Sequence, residues 1–167
     1  MSDVYILGID MIKFGRFPDR SFAQLGGEAA LGALDDAGLT AQDPQIMYCG
    51  TVFGAYQMSG QAIMREIGET GIPVTNIVNA CASGASAFRE AWLAVKSGVY
   101  DIALAVGVEK TPRGLLGGGD ESGIPLEGLF GSASMPCVFA EAGMQHAAKH
   151  LSLIQISEPT RPLSISY

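Results

Sequence analysis

The chain has 167 residues, of which 48% are hydrophobic and 16% charged, and its formal net charge is −7. This balance excludes a disordered chain and predicts a domain with a sizeable hydrophobic core. Lys and Arg form no runs, so we expect no nucleic-acid partner. No apolar stretch reaches the roughly 18 residues that a membrane-spanning helix needs, and the N-terminus does not resemble a secretory signal.

The cysteines set the expected redox chemistry. The chain has three cysteines, Cys49, Cys81 and Cys137. Their odd number does not suggest a disulfide framework, and their wide spacing does not match that of metal ligands. We therefore expect reduced thiols, a cytoplasmic location and no bound metal.

The first half of the chain alternates strand and helix signals. Val4–Ile9 is a short apolar run that predicts a buried strand. Ser21 and Gln24 have the spacing of a capping box that opens a helix, and Gly38 closes it. The predicted elements are a strand over 4–9, a helix over 22–37, a strand over 46–49, a helix over 59–69 and a strand over 73–79.

The same alternation continues as far as residue 150. We predict a helix over 82–97, a continuously apolar strand over 101–108 and a helix over 134–150, with a glycine-rich loop over 111–133 between the last two. Apolar strands that alternate with helices indicate an α/β fold whose strands are mostly parallel and buried on both faces.

The segment 151–167 differs from everything before it. It contains neither glycine nor alanine and has no periodicity that would complete the fold. We therefore divide the chain into one domain over 1–150 and an off-pattern tail over 151–167. A frameshift or foreign sequence, such as a sequencing adapter, is our interpretation of the tail, and a native C-terminal tail is the alternative.

Cys81 is the candidate catalytic residue. It lies where a predicted strand ends and a long helix begins, in the segment Asn76–Gly84. Free backbone N–H groups at a helix start stabilise a thiolate and can also bind the oxyanion of a tetrahedral intermediate. A thiolate there would be a nucleophile toward thioesters. The alternative is structural, because a lone cysteine is most often a small core residue.

Several segments of the chain, in order, resemble those of thiolases. The string VNACASG, which contains Cys81, resembles the nucleophile motif of the family. The resemblance covers roughly residues 4–150 and favours the branch of acetyl-CoA acetyltransferases and sterol-carrier-protein-type thiolases. The other segments that carry it are ILGID, LDDAGL, MYCGTVFG, AVGVEK and GLFGSASMPCVFAEAGMQHAAKH.

The resemblance implies the N-terminal half of a layered α-β-α fold with a mostly parallel sheet and a buried nucleophile helix. It implies acyl transfer through a thioester on Cys81, by thiolysis of a 3-ketoacyl-CoA or by Claisen condensation. Coenzyme A would be a substrate, with no tightly bound cofactor, and the full-length protein would be a homodimer or larger. The catalytic histidine and second cysteine of the family belong to its C-terminal half, so we expect the 167-residue chain to be inactive alone.

Other candidate residues have simpler explanations. His146 and His150 are four residues apart on a predicted helix and are expected on a solvated face, since no third metal ligand is evident. Cys49 and Cys137 are expected to be core or pocket-wall thiols. Gly117–Gly119 lacks the spacing of a phosphate loop. Arg113 could approach a phosphate of coenzyme A, although a surface charge is the plainer interpretation.

Three other functions remain open from the sequence. A retro-aldol lyase of the sterol-carrier-thiolase branch is one, but such lyases, as the resemblance implies, lack the nucleophilic cysteine. A ketoacyl synthase uses a cysteine at the same turn, although the AVGVEK segment is more similar to thiolases. The third is a non-catalytic fragment.

Overall fold

The computed structural model describes residues 3–54, 57–111 and 135–150. The chain divides into two compact units, Met1–Thr111 and Pro112–Tyr167. The described elements of the first unit are α1 (Phe22–Asp36), β1 (Ile46–Gly50), α2 (Ser59–Ile67), β2 (Val74–Ile77), α3 (Ser83–Lys96) and β3 (Ala103–Gly107). The second unit contains α4 (Met135–His150).

The three described strands form one parallel sheet in the order β2-β1-β3. Met47 in the central strand pairs with Val74 on one side and with Leu104 on the other. Parallel neighbours require crossover connections, and α2 and α3 supply them. The predicted α/β class with a parallel sheet is confirmed.

Helices cover both faces of this sheet. On one face the core cluster joins Met47, Cys49 and Val106 of the strands to Ile63 of α2 and Ala30 of α1. Because side chains alternate along a strand, the neighbouring positions point to the opposite face, where α3 contacts all three strands. The unit is therefore a three-layer α-β-α arrangement.

The capping box at the start of α1 forms as predicted. The Gln24 N–H donates to Ser21 Oγ at 3.1 Å, and the Ser21 N–H donates to Gln24 Oε1 at 2.9 Å. The helix ends at Asp36, and Gly38 follows with φ +68°. This boundary was predictable because capping depends on neighbours in sequence alone.

The predicted strand over Val4–Ile9 is wrong. The segment has no strand pairing, and Tyr5 and Ile9 are 76% and 72% exposed. Its one hydrogen bond to the described residues runs from the Ile9 N–H to Asp36 Oδ2, at 2.9 Å. A strand needs a neighbour, and β3, whose outer edge is open in the described structure, does not pair with this segment.

The burial of the predicted nucleophile helix is confirmed for one side only. α3 buries Ser83, Ala87 and Ala91, whereas Phe88 and Trp92 are 51% and 42% exposed. None of the helices in the described ranges has both the length and the apolar character needed to cross a bilayer.

The helix predicted over 134–150 is confirmed as α4. The predicted loop over 111–133, apart from Thr111, and the predicted tail over 151–167 lie outside the described residues. The domain boundary predicted after residue 150 therefore stays a prediction.

Candidate active site

The candidate site lies at the carboxyl edge of the sheet. Because the strands are parallel, the segments that follow β1, β2 and β3 all leave the sheet at this edge. In open α/β sheets such an edge is the usual position of a binding site. The segments bring Thr51, Cys81 and Glu109 to this end of the unit.

Cys81 lies in the turn between β2 and α3. Ala80, just before it, has φ +44°, a left-handed conformation that costs energy for a residue with a side chain. Asn79 and Cys81 form an isolated parallel bridge, and the Ala82 N–H donates to the Asn79 carbonyl at 2.9 Å. The turn is therefore defined by its own hydrogen bonds.

Ser83 joins this turn to the first turn of α3. Its buried hydroxyl accepts from the Asn79 N–H and donates to the Ala80 carbonyl, both at 2.8 Å. Asn79 Nδ2 donates to Ser86 Oγ at 2.8 Å. These contacts hold the strained backbone on both sides of Cys81, because the Asn79 N–H and the Ala80 carbonyl bond to the same buried hydroxyl.

Close packing against two strands fixes the start of α3. A Cβ atom placed on Gly50 would lie 2.3 Å from the Ser83 carbonyl oxygen, and one placed on Gly107 would lie 3.3 Å from the Gly84 Cα atom. Only glycine leaves enough space at Gly50 for the helix backbone to approach this closely. The small residues that begin the helix therefore lie directly over the ends of β1 and β3.

The Cys81 thiol is exposed at this turn. The backbone N–H groups of Gly84 and Ala85, in the first turn of α3, have no acceptor among the described residues. Such N–H groups, together with the positive end of the helix dipole, favour negative charge nearby. The arrangement therefore combines an accessible thiol with hydrogen-bond donors in the same turn that have no acceptor among the described residues.

Cys49 has the opposite environment. It is fully buried in the core cluster of the sheet, as expected for a structural thiol. Burial, with a smaller contribution from the negative charge of Glu109, raises the pKa of the Cys49 thiol to about 12. Cys49 is therefore protonated and inaccessible at neutral pH.

Glu109 orders the loop that follows β1. Its carboxylate accepts from the backbone N–H groups of Val52 and Phe53 at 2.7 and 3.2 Å, and from Thr51 Oγ1 at 3.4 Å. Glu109 was not among the predicted site residues, and the signal available in the sequence was an acidic residue just beyond a buried strand. Its hydrogen bonds link the ends of β1 and β3 beside the candidate site.

The remaining candidates lie in the second unit or outside the described residues. His146 and His150 stack on α4 with ring centroids 4.7 Å apart, and both are exposed. Across the described ranges no cluster of three or more His, Cys, Asp or Glu side chains could hold a metal ion. Arg113, Gly117–Gly119 and the side chain of Cys137 lie outside the described residues.

Comparison with protein families gives a match over residues 4–113 to the model of the thiolase N-terminal domain. The chain belongs to the thiolase family. The match includes β1, β2, β3 and the turn that contains Cys81, so the resemblance in the sequence is confirmed for this domain.

The similar curated proteins are of two kinds. An acetyl-CoA acetyltransferase of Methanothermobacter thermautotrophicus is 41% identical over 66% of this chain and 30% of its own length. An acetyl-CoA acetyltransferase of Methanocaldococcus jannaschii is 33% identical over 94% of this chain and 42% of its own length. Sterol carrier protein 2 of Gallus gallus is 31% identical over 88% of this chain and 29% of its own length. The chain thus spans less than half of each of these relatives.

We expect Gly50→Ala to destabilise the first unit by about 2 kcal/mol or more, because the new methyl group would overlap the backbone at Ser83. Urea unfolding followed by circular dichroism measures the change. Gly143→Ala is the control, since a Cβ on Gly143 meets no atom within 4 Å and alanine suits a helix interior. Equal stability of the Gly50→Ala variant and the wild type would contradict the close approach of α3 to β1.

We expect iodoacetamide at neutral pH to alkylate Cys81 at least about 100-fold faster than Cys49 in the folded chain, because Cys81 is exposed and Cys49 is buried and protonated. Peptide mapping by mass spectrometry measures each site. The same reaction in concentrated urea is the control, and there the two rates should converge. Comparable rates in the folded chain would contradict the two environments.

Proposed function

We propose that this domain supplies the nucleophile of an acyltransferase that acts on acyl-CoA thioesters, with Cys81 as the residue that carries the acyl group. The observation that carries the proposal is an exposed thiol at a strained turn, beside unpaired N–H groups of a helix start. Membership of the thiolase family and the names of the acetyl-CoA acetyltransferase relatives support the same reaction class.

In the proposed step the Cys81 sulfur attacks the carbonyl carbon of the thioester. A new S–C bond forms, the bond between that carbon and the sulfur of coenzyme A breaks, and coenzyme A leaves as the thiol with the proton that Cys81 gives up. In the tetrahedral intermediate the carbonyl oxygen carries negative charge, and we propose that the Gly84 and Ala85 N–H groups stabilise it. This step begins Claisen condensation, and coenzyme A is its leaving group. In thiolysis the same acyl-enzyme would form by attack of the Cys81 sulfur on the 3-keto carbon, with the C2–C3 bond broken and the shortened acyl-CoA leaving, and coenzyme A is then the substrate that accepts the acyl group. Neither direction requires a resident cofactor.

The second half of the reaction needs proton transfer. Thiolysis of a 3-ketoacyl-CoA requires a base for the incoming thiol, and Claisen condensation requires a base for the α-carbon of the second substrate. No described residue of the first unit other than Cys81 is a histidine or cysteine exposed at this edge. We propose that these acid–base groups belong to the part of the family fold that the chain does not match, and that the complete enzyme is a cytoplasmic homodimer or larger.

Acetylation tests the nucleophile directly. Incubation of the folded chain with acetyl-CoA should acetylate Cys81 and leave Cys49 unmodified, because of these two thiols Cys81 is exposed and Cys49 is buried. Mass spectrometry locates the adduct, and its release by hydroxylamine identifies a thioester. Cys81→Ala should abolish the labile adduct, whereas Cys49→Ala should retain it. The proposal would be contradicted if the Cys81→Ala variant formed the same amount of hydroxylamine-labile adduct as the wild type.

Steady turnover is a separate measurement. We expect the 167-residue chain alone to release no acetyl-CoA from acetoacetyl-CoA and coenzyme A beyond the amount of chain present, since deacylation needs groups that the described site does not supply. Loss of the acetoacetyl-CoA absorbance follows the reaction. A rate of about 1 s⁻¹ or more, which is ordinary for enzymes, would show that the chain carries its own acid–base groups.

A further inference from the structure

Two asparagines, one in β2 and one just beyond it, connect this part of the chain to helices on opposite faces of the sheet. The Asn76 side chain accepts from the Gly60 N–H at 2.7 Å and donates to Gln61 Oε1 at 2.8 Å, in the first turn of α2. Asn79 Nδ2 donates to Ser86 Oγ of α3 at 2.8 Å. The same residue type therefore makes hydrogen bonds of similar length to two different helices, and only Asn79 is next to the turn that contains the candidate nucleophile.

Asn79 is hydrogen-bonded through its backbone as well as through its side chain. Its N–H donates to Ser83 Oγ at 2.8 Å, and its carbonyl accepts from the Ala82 N–H at 2.9 Å. The side-chain bond to Ser86 lies about one turn farther along α3. Three groups of one residue thus bind three residues at or near the start of the helix, and Cys81 lies in the chain between them.

The backbone between Asn79 and Cys81 has a conformation that its surroundings must hold. Ala80 has φ +44°, and a left-handed conformation is unfavourable for a residue with a side chain. If Ala80 relaxed to a right-handed conformation, Asn79 would turn away from α3. The two backbone bonds of Asn79 end within the turn itself, whereas the side-chain bond reaches Ser86 in the helix beyond it. The side-chain bond therefore opposes relaxation of the turn most directly.

We propose that Asn79 is a positioning residue for the reaction of Cys81, and that it acts through the hydrogen bond between its side chain and Ser86. The bond holds the turn in the one conformation that keeps the thiol exposed beside the start of α3. In this role neither Asn79 nor Ser86 has to touch the substrate. The proposal rests on the acyl transfer proposed above for Cys81, and it adds a side-chain pair on which the rate of that step depends.

The test compares rates of Cys81 acetylation by acetyl-CoA in the folded 167-residue chain. Asn79→Ala should react at least about tenfold more slowly than the wild type, because a small displacement of a reacting group lowers its rate strongly. Ser86→Ala removes the other partner of the same bond and should slow the reaction to a similar extent. The double variant should be no slower than the slower single variant, since both side chains act through one hydrogen bond. Mass spectrometry of the hydroxylamine-labile adduct against time measures each rate.

Asn76→Ala is the matched control. It removes an asparagine from the same part of the chain, but the hydrogen bonds that are lost connect to α2 rather than to α3. Its acetylation rate should stay within about twofold of the wild type, even if urea unfolding shows that it loses as much stability as Asn79→Ala. An equal fall in rate in both variants would overturn the positioning role, because general destabilisation would then explain the effect.

A conservative substitution separates the hydrogen bond from the shape of the side chain. Ser86→Thr keeps the hydroxyl group and should keep the rate within about twofold of the wild type, whereas Ser86→Ala should not. A Ser86→Thr variant as slow as Ser86→Ala would contradict a role for the hydroxyl. Circular dichroism checks that each variant folds. Alanine suits a helix interior, so Ser86→Ala gives the answer if Asn79→Ala does not fold.

Failure of the positioning role can be distinguished from failure of the proposed function. If Cys81 of the wild type acquires no hydroxylamine-labile adduct, the proposed function is contradicted and the positioning role is overturned with it. If the wild type is acetylated and both Asn79→Ala and Ser86→Ala react at the same rate as the wild type, only the positioning role is overturned. Losses that multiply in the double variant would also overturn it, because the two side chains would then act independently.

Discussion

The geometry of the site depends on how closely the start of α3 approaches the sheet. Gly50 has no side chain on β1, and the Ser83 carbonyl occupies the space where a side chain would lie. Gly84 and Gly107 allow the same approach at β3. With the helix start fixed over two strand ends, the short connection from β2 must turn sharply, and Ala80 takes a left-handed conformation to do so. Cys81 is the next residue, and the turn leaves it exposed.

The two described cysteines show how the same side chain acquires different properties from its place in the fold. Cys49 lies in the central strand, under α1 and α2, where burial keeps its thiol protonated. Cys81 lies after an edge strand, outside the packed layers. Polar groups around it, from Asn79, Ser83 and Ser86, bond to one another and to the backbone and leave the sulfur without a described hydrogen-bond partner. The structural thiol and the candidate nucleophile thus differ in where they lie relative to the packed layers of the fold, rather than in the residues next to them in sequence.

Much of the element order could be predicted from the sequence, because it depends on local signals. Each of these signals lies within a few residues of the element that it defines. They are the capping box at Ser21, the glycine after α1 and the continuous apolar run of β3. Assignment of Cys81 to a strand-turn-helix junction followed from the same signals. The turn conformation at Ala80 could not be predicted, since it results from the packing of Ser83 on Gly50, residues 33 positions apart.

The wrong strand at Val4–Ile9 and the overlooked Glu109 have a common cause. Apolar character predicts burial, but strand formation needs a partner, and for Val4–Ile9 no described residue provides one. Glu109 acts on a loop 56 to 58 residues earlier in the chain, so only the pairing of β1 with β3 brings them together. Both outcomes depend on long-range pairing, which composition and periodicity do not encode.

We propose that the folded turn, rather than the cysteine alone, makes Cys81 reactive toward thioesters. The most direct measurement compares the acetylation rate of Cys81 by acetyl-CoA in the folded chain with that of a synthetic peptide covering residues 76–88, which lacks the sheet beneath it. Our account predicts a rate at least about 100-fold higher in the folded chain. Equal rates would contradict it, because the packing of α3 on Gly50 would then contribute nothing to the chemistry.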